Sequence, residues 1–114
     1  MIDPKLTACK CGCGLNNPNP DFLKKIELIL LTMNKDPYET IDGWCRCPKH
    51  NADVGGKPDS QHLTGDAVDL KCLSSVERAK YITLGLGIGI VCFGLGKTFT
   101  HMDDRKTPFI WLYT

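Results

Sequence analysis

Six apolar residues, Phe22, Leu23, Ile26, Ile29, Leu30 and Met33, recur at three- and four-residue steps, with Lys24, Lys25 and Glu27 mostly off that stripe. This period predicts an amphipathic helix from Pro20 to Asn34. Pro20 suits a first helical position, and Asn34 with Pro37 beyond it suits a stop. A chain of 114 residues can bury one hydrophobic core but not two, so the rest of the fold must share the core this stripe starts.

The remaining pattern is strand-like toward the end of the chain. Glu39 to Trp44 reads as a short strand, and Pro48 to Val54 as a helical turn or two ended by Gly55-Gly56. Pro58 to Gly65 reads as loop and Ala67 to Cys72 as a strand of mixed polarity. Ser74-Ser75-Val76-Glu77 offers a capping box for a second helix from Ser75 to Leu84. Three strands are expected after it: Leu86 to Phe93, Phe99 to Asp103 and Phe109 to Tyr113. Helices early and antiparallel strands late predict one small α+β domain over residues 1–114, with two main helices and an antiparallel sheet. Gly85, Gly87 and Gly89 are read as a close-packed strand entry. They lack the Lys-Ser/Thr ending of a phosphate loop.

Charge narrows the function classes. Lys plus Arg number 14 against 13 Asp plus Glu, without a basic run, so nucleic acid is not an expected partner. The longest apolar stretch, Leu84 to Leu95, is interrupted by glycines and too short to span a bilayer, so no membrane role is expected. The first residues lack the order of a secretory signal, and seven is an odd number of cysteines. Both favour a cytoplasmic setting with most of the cysteines as reduced thiols. The chain is expected to act as a monomer.

The chemistry concentrates in Ser60-Gln61-His62-Leu63-Thr64-Gly65-Asp66-Ala67-Val68-Asp69 and in Phe99-Thr100-His101-Met102-Asp103. Two imidazoles and a carboxylate, with a fourth position left for water, make up the ligand set of many catalytic zinc sites. Strand alternation puts Ala67, Asp69 and Lys71 on one face, and likewise Phe99, His101 and Asp103. An aspartate facing inward from mid-strand needs a partner, which a cation would supply. Spacing alone favours plain surface groups, since a separation of seven residues from His62 to Asp69 follows no helix face and falls short of a zinc-finger pattern.

The pattern Ser60-x-His62-x-x-Gly65-x-Ala67-x-Asp69, followed by a strand bearing His101, resembles the zinc D-alanyl-D-alanine carboxypeptidases. Their fold group also holds phage endolysins and the hedgehog signalling domain. Arg46-Cys47-Pro48-Lys49-His50-Asn51 with Val54-Gly55-Gly56 resembles the segment before the zinc motif in small phage-associated members, as do Cys11-Gly12-Cys13-Gly14 and the turn Asn16 to Pro20. The resemblance implies a Zn2+ ion on His62, Asp69 and His101, and hydrolysis of peptidoglycan stem peptides through a zinc-activated water. It implies that Arg46 faces the substrate, pairing with its terminal carboxylate or stabilising the oxyanion, and that Ser60 binds substrate or braces the site. It also suggests a phage product that reaches the wall on lysis or in the virion.

One departure stands out. Relatives carry an acidic residue or histidine two or three positions before the last zinc histidine, where this chain has Phe99 and Thr98. Asp103 is the candidate general base in their place, with a ligand-orienting role as its alternative. The departure keeps open a zinc-stabilised binding module without turnover. Cys9, Cys11 and Cys13, with Cys45 and Cys47, leave a structural zinc site or disulfides open, although their C-x-C spacing is tighter than in common zinc knuckles. His50 is expected to be structural, Cys72 and Cys92 to be core residues, and Trp44, Trp111 and Tyr113 to be core or cleft-wall aromatics.

Overall fold

The computed structural model describes residues 2–113. Helix α1 (Pro4–Thr7) precedes the expected long helix α2 (Pro20–Thr32). The Asn19 side chain caps α2 by accepting from the amides of Asp21 and Phe22, with Pro20 at the first position. Asn34 ends it in the left-handed conformation at φ 54°, and the Lys35 amide returns to the Leu30 carbonyl. Phe22, Ile26, Ile29 and Leu30 are buried. Each such side chain contributes about 1.5–3 kcal/mol relative to leaving it exposed.

The segment expected as a strand from Glu39 begins instead with a helical turn, α3 (Pro37–Thr40), because Asp36 caps the Tyr38 amide and Pro37 presets the backbone. Strand β1 (Ile41–Gly43) follows. Next come α4 (Pro48–Asp53), a 3-10 turn (Gln61–Thr64) and β2 (Ala67–Lys71). Helix α5 (Ser75–Gly87) is capped by Ser74, whose hydroxyl accepts from the Glu77 amide, while the Glu77 carboxylate accepts from the Leu73 amide. Strands β3 (Cys92–Leu95), β4 (Phe99–Asp103) and β5 (Phe109–Leu112) complete the chain.

The strand expected from Leu86 starts only at Cys92, because α5 runs on through Gly85 and Gly87. At Gly85 the missing side chain is a packing device. A Cβ there would lie 3.1 Å from the Phe93 ring, so the last turn of α5 can press onto the sheet.

The five strands form one sheet in the order β1-β2-β4-β3-β5. Three pairings are antiparallel as expected; β5 lies parallel to β3, which makes the sheet mixed. Alternation then divides its faces. Val68, Leu70, Phe93 and Met102 join Phe22, Ile26, Ile29, Leu30 and Tyr81 in the core. Asp69 and His101 point the other way, onto the face that carries the cleft described below. No helix among the described residues is long and apolar enough to cross a membrane.

Candidate metal centre

In the β2–β4 ladder Asp69 sits directly opposite His101, so two side chains 32 residues apart in sequence share one spot on the sheet. His62 arrives from the 3-10 turn. That turn is fixed at its start by Ser60, whose hydroxyl accepts from the His62 amide at 3.2 Å. It is fixed at its end by Gly65, left-handed at φ 76°, where a Cβ would fall 1.8 Å from the Asn17 carbonyl oxygen. Trp44, fully buried, clamps the turn twice. Its indole N–H donates to the Gly65 carbonyl at 2.9 Å, and its own carbonyl accepts from His62 Nδ1 at 2.5 Å.

These partners decide where the ring protons sit. A carbonyl oxygen only accepts, so His62 carries its proton on Nδ1 and its Nε2 lone pair is bare. That Nε2 is buried without a hydrogen-bond partner, 3.3 Å from Asp69 Oδ1. His101 Nε2 donates to Asp103 Oδ2 at 2.9 Å, which turns Nδ1 toward Asp69 Oδ1 at 3.1 Å. His62 Nε2, Asp69 Oδ1 and His101 Nδ1 thus converge, all within 4.8 Å of one another. Tetrahedral zinc with bonds of about 2.0–2.1 Å holds its ligand atoms about 3.3–3.4 Å apart, close to the two separations seen here. Three electron-rich atoms packed together without a donor from elsewhere are the chemistry a divalent cation satisfies. A buried nitrogen left bare by its own tautomer shows that the residues fit such an ion.

Electrostatics agree. Burial pushes the Asp69 carboxyl up, but the imidazoles of His101 and His62 outweigh it and hold it well below the usual carboxylate range. Burial also opposes charge on His101, yet Asp103 and Asp69 raise its pKa overall.

Arg46 enters from the segment before α4. Its guanidinium reaches Asp69 Oδ2 at 3.3 Å and the Asn51 side-chain oxygen at 3.2 Å, and its amide donates to the His62 carbonyl. It lines a cleft of about 600 Å³ together with Ser60, His62, Asp69 and His101. Trp111 and Tyr113 wall one side, with the Trp111 ring 5.1 Å from that of His101. They can lie so close to the sheet because Gly94, opposite His101 in β3, has no side chain. A Cβ there would be 2.6 Å from the Tyr113 ring. A larger groove of about 860 Å³ lies between α2 and α5, but its Lys35 and Glu77 pair with each other and it holds no ligand set.

Asp103 is fully buried and turned away from the converging atoms. Its oxygens are occupied by His101 Nε2 and by Arg105, which donates from Nε at 2.9 Å, from a terminal nitrogen at 2.8 Å and from its backbone amide at 3.1 Å. The two nitrogens of an imidazole point apart, so a carboxylate on Nε2 is not within reach of a water on the Nδ1 side. Of the two roles expected for Asp103, this placement matches the ligand-orienting one.

Of the residues singled out by sequence, His62, Asp69, His101, Arg46 and Ser60 line one cleft and Asp103 lies behind the His101 ring, whereas His50 joins neither of the two potential ligand groups among the described residues. Sequence reasoning missed the double clamp of Trp44 and the bidentate grip of Arg105. The position of Arg105 two residues past Asp103 was the available signal for the second; nothing local marked the first.

A group of residues that could hold a metal ion lines a cleft on this small α+β sheet. Residues 4–103 match the family model for Peptidase M15. The chain belongs to that family of zinc peptidases. Comparison with curated proteins gives no match.

Proposed function

We propose that this protein is a zinc peptidase acting on peptidoglycan stem peptides, either removing a terminal D-alanine or cutting within the stem. The observation that carries the reading is the convergence of bare His62 Nε2, Asp69 Oδ1 and His101 Nδ1 on the floor of an open cleft. When bound, zinc supplies Lewis acidity, acidifying a water and polarising the scissile carbonyl.

The chain's own groups do the rest. Arg46 presents a guanidinium beside the ligand carboxylate, where it can pair with a substrate's terminal carboxylate or a developing oxyanion. Asp103 holds the His101 ring and its tautomer, and Arg105 keeps Asp103 ionised and in place. Ser60 braces His62 through its amide. Trp111 and Tyr113 offer apolar walls to a peptide side chain.

A second reading, a zinc-stabilised binding module, is favoured by two observations: Asp103 faces away from the open side, and Thr98 and Phe99 stand where the resemblance leads one to expect a base. Incubating zinc-loaded protein with purified muropeptides, with a chelated control, separates the two. Mass spectrometry should show loss of one alanine or a split stem. Intact muropeptides from a zinc-replete protein would leave the binding module standing.

A further inference from the structure

We propose that Cys9, Cys11, Cys13 and Cys47 form a second metal site, a tetrathiolate that takes zinc and staples the N-terminal loop to the segment bearing Arg46. The four sulfur atoms all lie within 4.8 Å of one another. Cys9 Sγ is 3.5 Å from Cys11 Sγ, and Cys11 Sγ is 3.6 Å from Cys47 Sγ. Zinc–sulfur bonds of about 2.3 Å in a tetrahedron place thiolates about 3.8 Å apart, so the cluster is already near the right size. All seven cysteines are free thiols, and only these four cluster. Cys45 is buried elsewhere and stays outside.

Packing does not explain the group. Cys11 and Cys13 are exposed, so neither fills a core. The sulfurs are instead furnished with amide donors, as thiolate ligands are. The Cys47 amide donates to Cys9 Sγ at 3.4 Å, the His50 amide to Cys47 Sγ at 3.3 Å and the Leu15 amide to Cys13 Sγ at 3.5 Å. The tight C-x-C spacing is made workable by Gly12 and Gly14, left-handed at φ 83° and 91° with open space where a Cβ would be. They are glycine for the turn and not for room, and the turn aims three successive thiols at one point. The fourth comes from Cys47, the N-cap of α4 and the neighbour of Arg46. Arg46 in turn touches both the His62 carbonyl and Asp69 Oδ2. A metal here would therefore fix the backbone that carries Arg46 into the cleft.

The test uses the full chain, purified under reducing conditions. Metal analysis should find two zinc ions per chain, falling to one in His62→Ala. Cobalt added to the metal-free wild type should give the intense near-ultraviolet thiolate-to-cobalt bands of a tetrathiolate, and these should persist in His62→Ala. Alkylation mapped by mass spectrometry should find Cys9, Cys11, Cys13 and Cys47 protected by zinc and labelled after chelation, a readout that needs no cysteine variant to fold. Zinc wholly lost in His62→Ala, no thiolate bands, equal labelling with and without zinc, or a disulfide within the cluster would each overturn the proposal. Zinc unchanged in His62→Ala with the four thiols protected would support it while defeating the histidine–aspartate site.

Discussion

Asp103 and His101, two residues apart on one strand face, meet at 2.9 Å through His101 Nε2, and Arg105 closes on the far side of the same carboxylate. The strand alternation that aims His101 Nδ1 at Asp69 thus also supplies the group that fixes its ring.

That geometry makes Asp103→Asn informative. The amide can still accept from Nε2–H but carries no charge, so the imidazole becomes a weaker donor to a metal. Zinc affinity should fall about 10–100-fold by competition with a chromogenic chelator. Activity should recover when zinc is raised. A variant that binds zinc normally yet stays inactive would return Asp103 to the role of base.

Gly65→Ala tests whether the 3-10 turn tolerates any side chain. The new Cβ would meet the Asn17 carbonyl at 1.8 Å on a backbone at φ 76°. The left-handed conformation alone costs about 1–2 kcal/mol, and the clash adds to it. The urea midpoint should drop sharply with an unchanged slope. A midpoint within error of wild type would mean that the Asn17 loop yields freely.

Much of this was legible in advance, and the reasons differ by element. Strand β4 was readable to the residue because the polar run from Asp104 to Pro108 bounds Phe99 to Asp103 on its C-terminal side. Helix α2 was readable from its stripe and its stops. The error after α5 came from treating glycine as a strand signal, when Gly85 is there to let a helix touch Phe93. The parallel pairing of β5 with β3 depends on where a loop carries the chain, which local pattern does not encode. In the site, His62, Asp69 and His101 were visible as types that bind metal. The direction of Asp103 was not, because spacing puts it on the right face without saying which ring nitrogen it meets.

Arg46→Lys separates charge from shape. The guanidinium spans Asp69 Oδ2 and Asn51 with two different nitrogens, a fork that an ammonium cannot reproduce. Zinc content should be unchanged, because the oxygen Asp69 would offer a metal is Oδ1, not the Oδ2 that Arg46 touches. On the proposed reading, kcat should fall about 10²–10³-fold, the loss typical of removing one oxyanion donor. Full activity in the lysine variant would reduce Arg46 to a point charge.

Tyr81 allows a pH test on the core side of the sheet. Its ring is completely buried in the core and its hydroxyl donates to the Lys71 carbonyl at 3.1 Å. Burial, aided by the charges of Glu77 and Cys72, raises its pKa far above the ordinary tyrosine value. The sign follows from proton counts. Above about pH 10 the unfolded chain releases this proton while the folded protein keeps it. Stability from Tyr81 is therefore complete below that pH and is lost as pH climbs toward the folded pKa, at a limiting slope of about 1.4 kcal/mol per unit. Tyr81→Phe should be less stable than wild type near neutrality by about 1 kcal/mol, the worth of one hydrogen bond. It should then lose less on going alkaline, so that urea-unfolding curves for the two proteins converge above pH 10. Parallel curves across that range would show that the hydroxyl titrates alike in both states, and that its burial does not hold the proton.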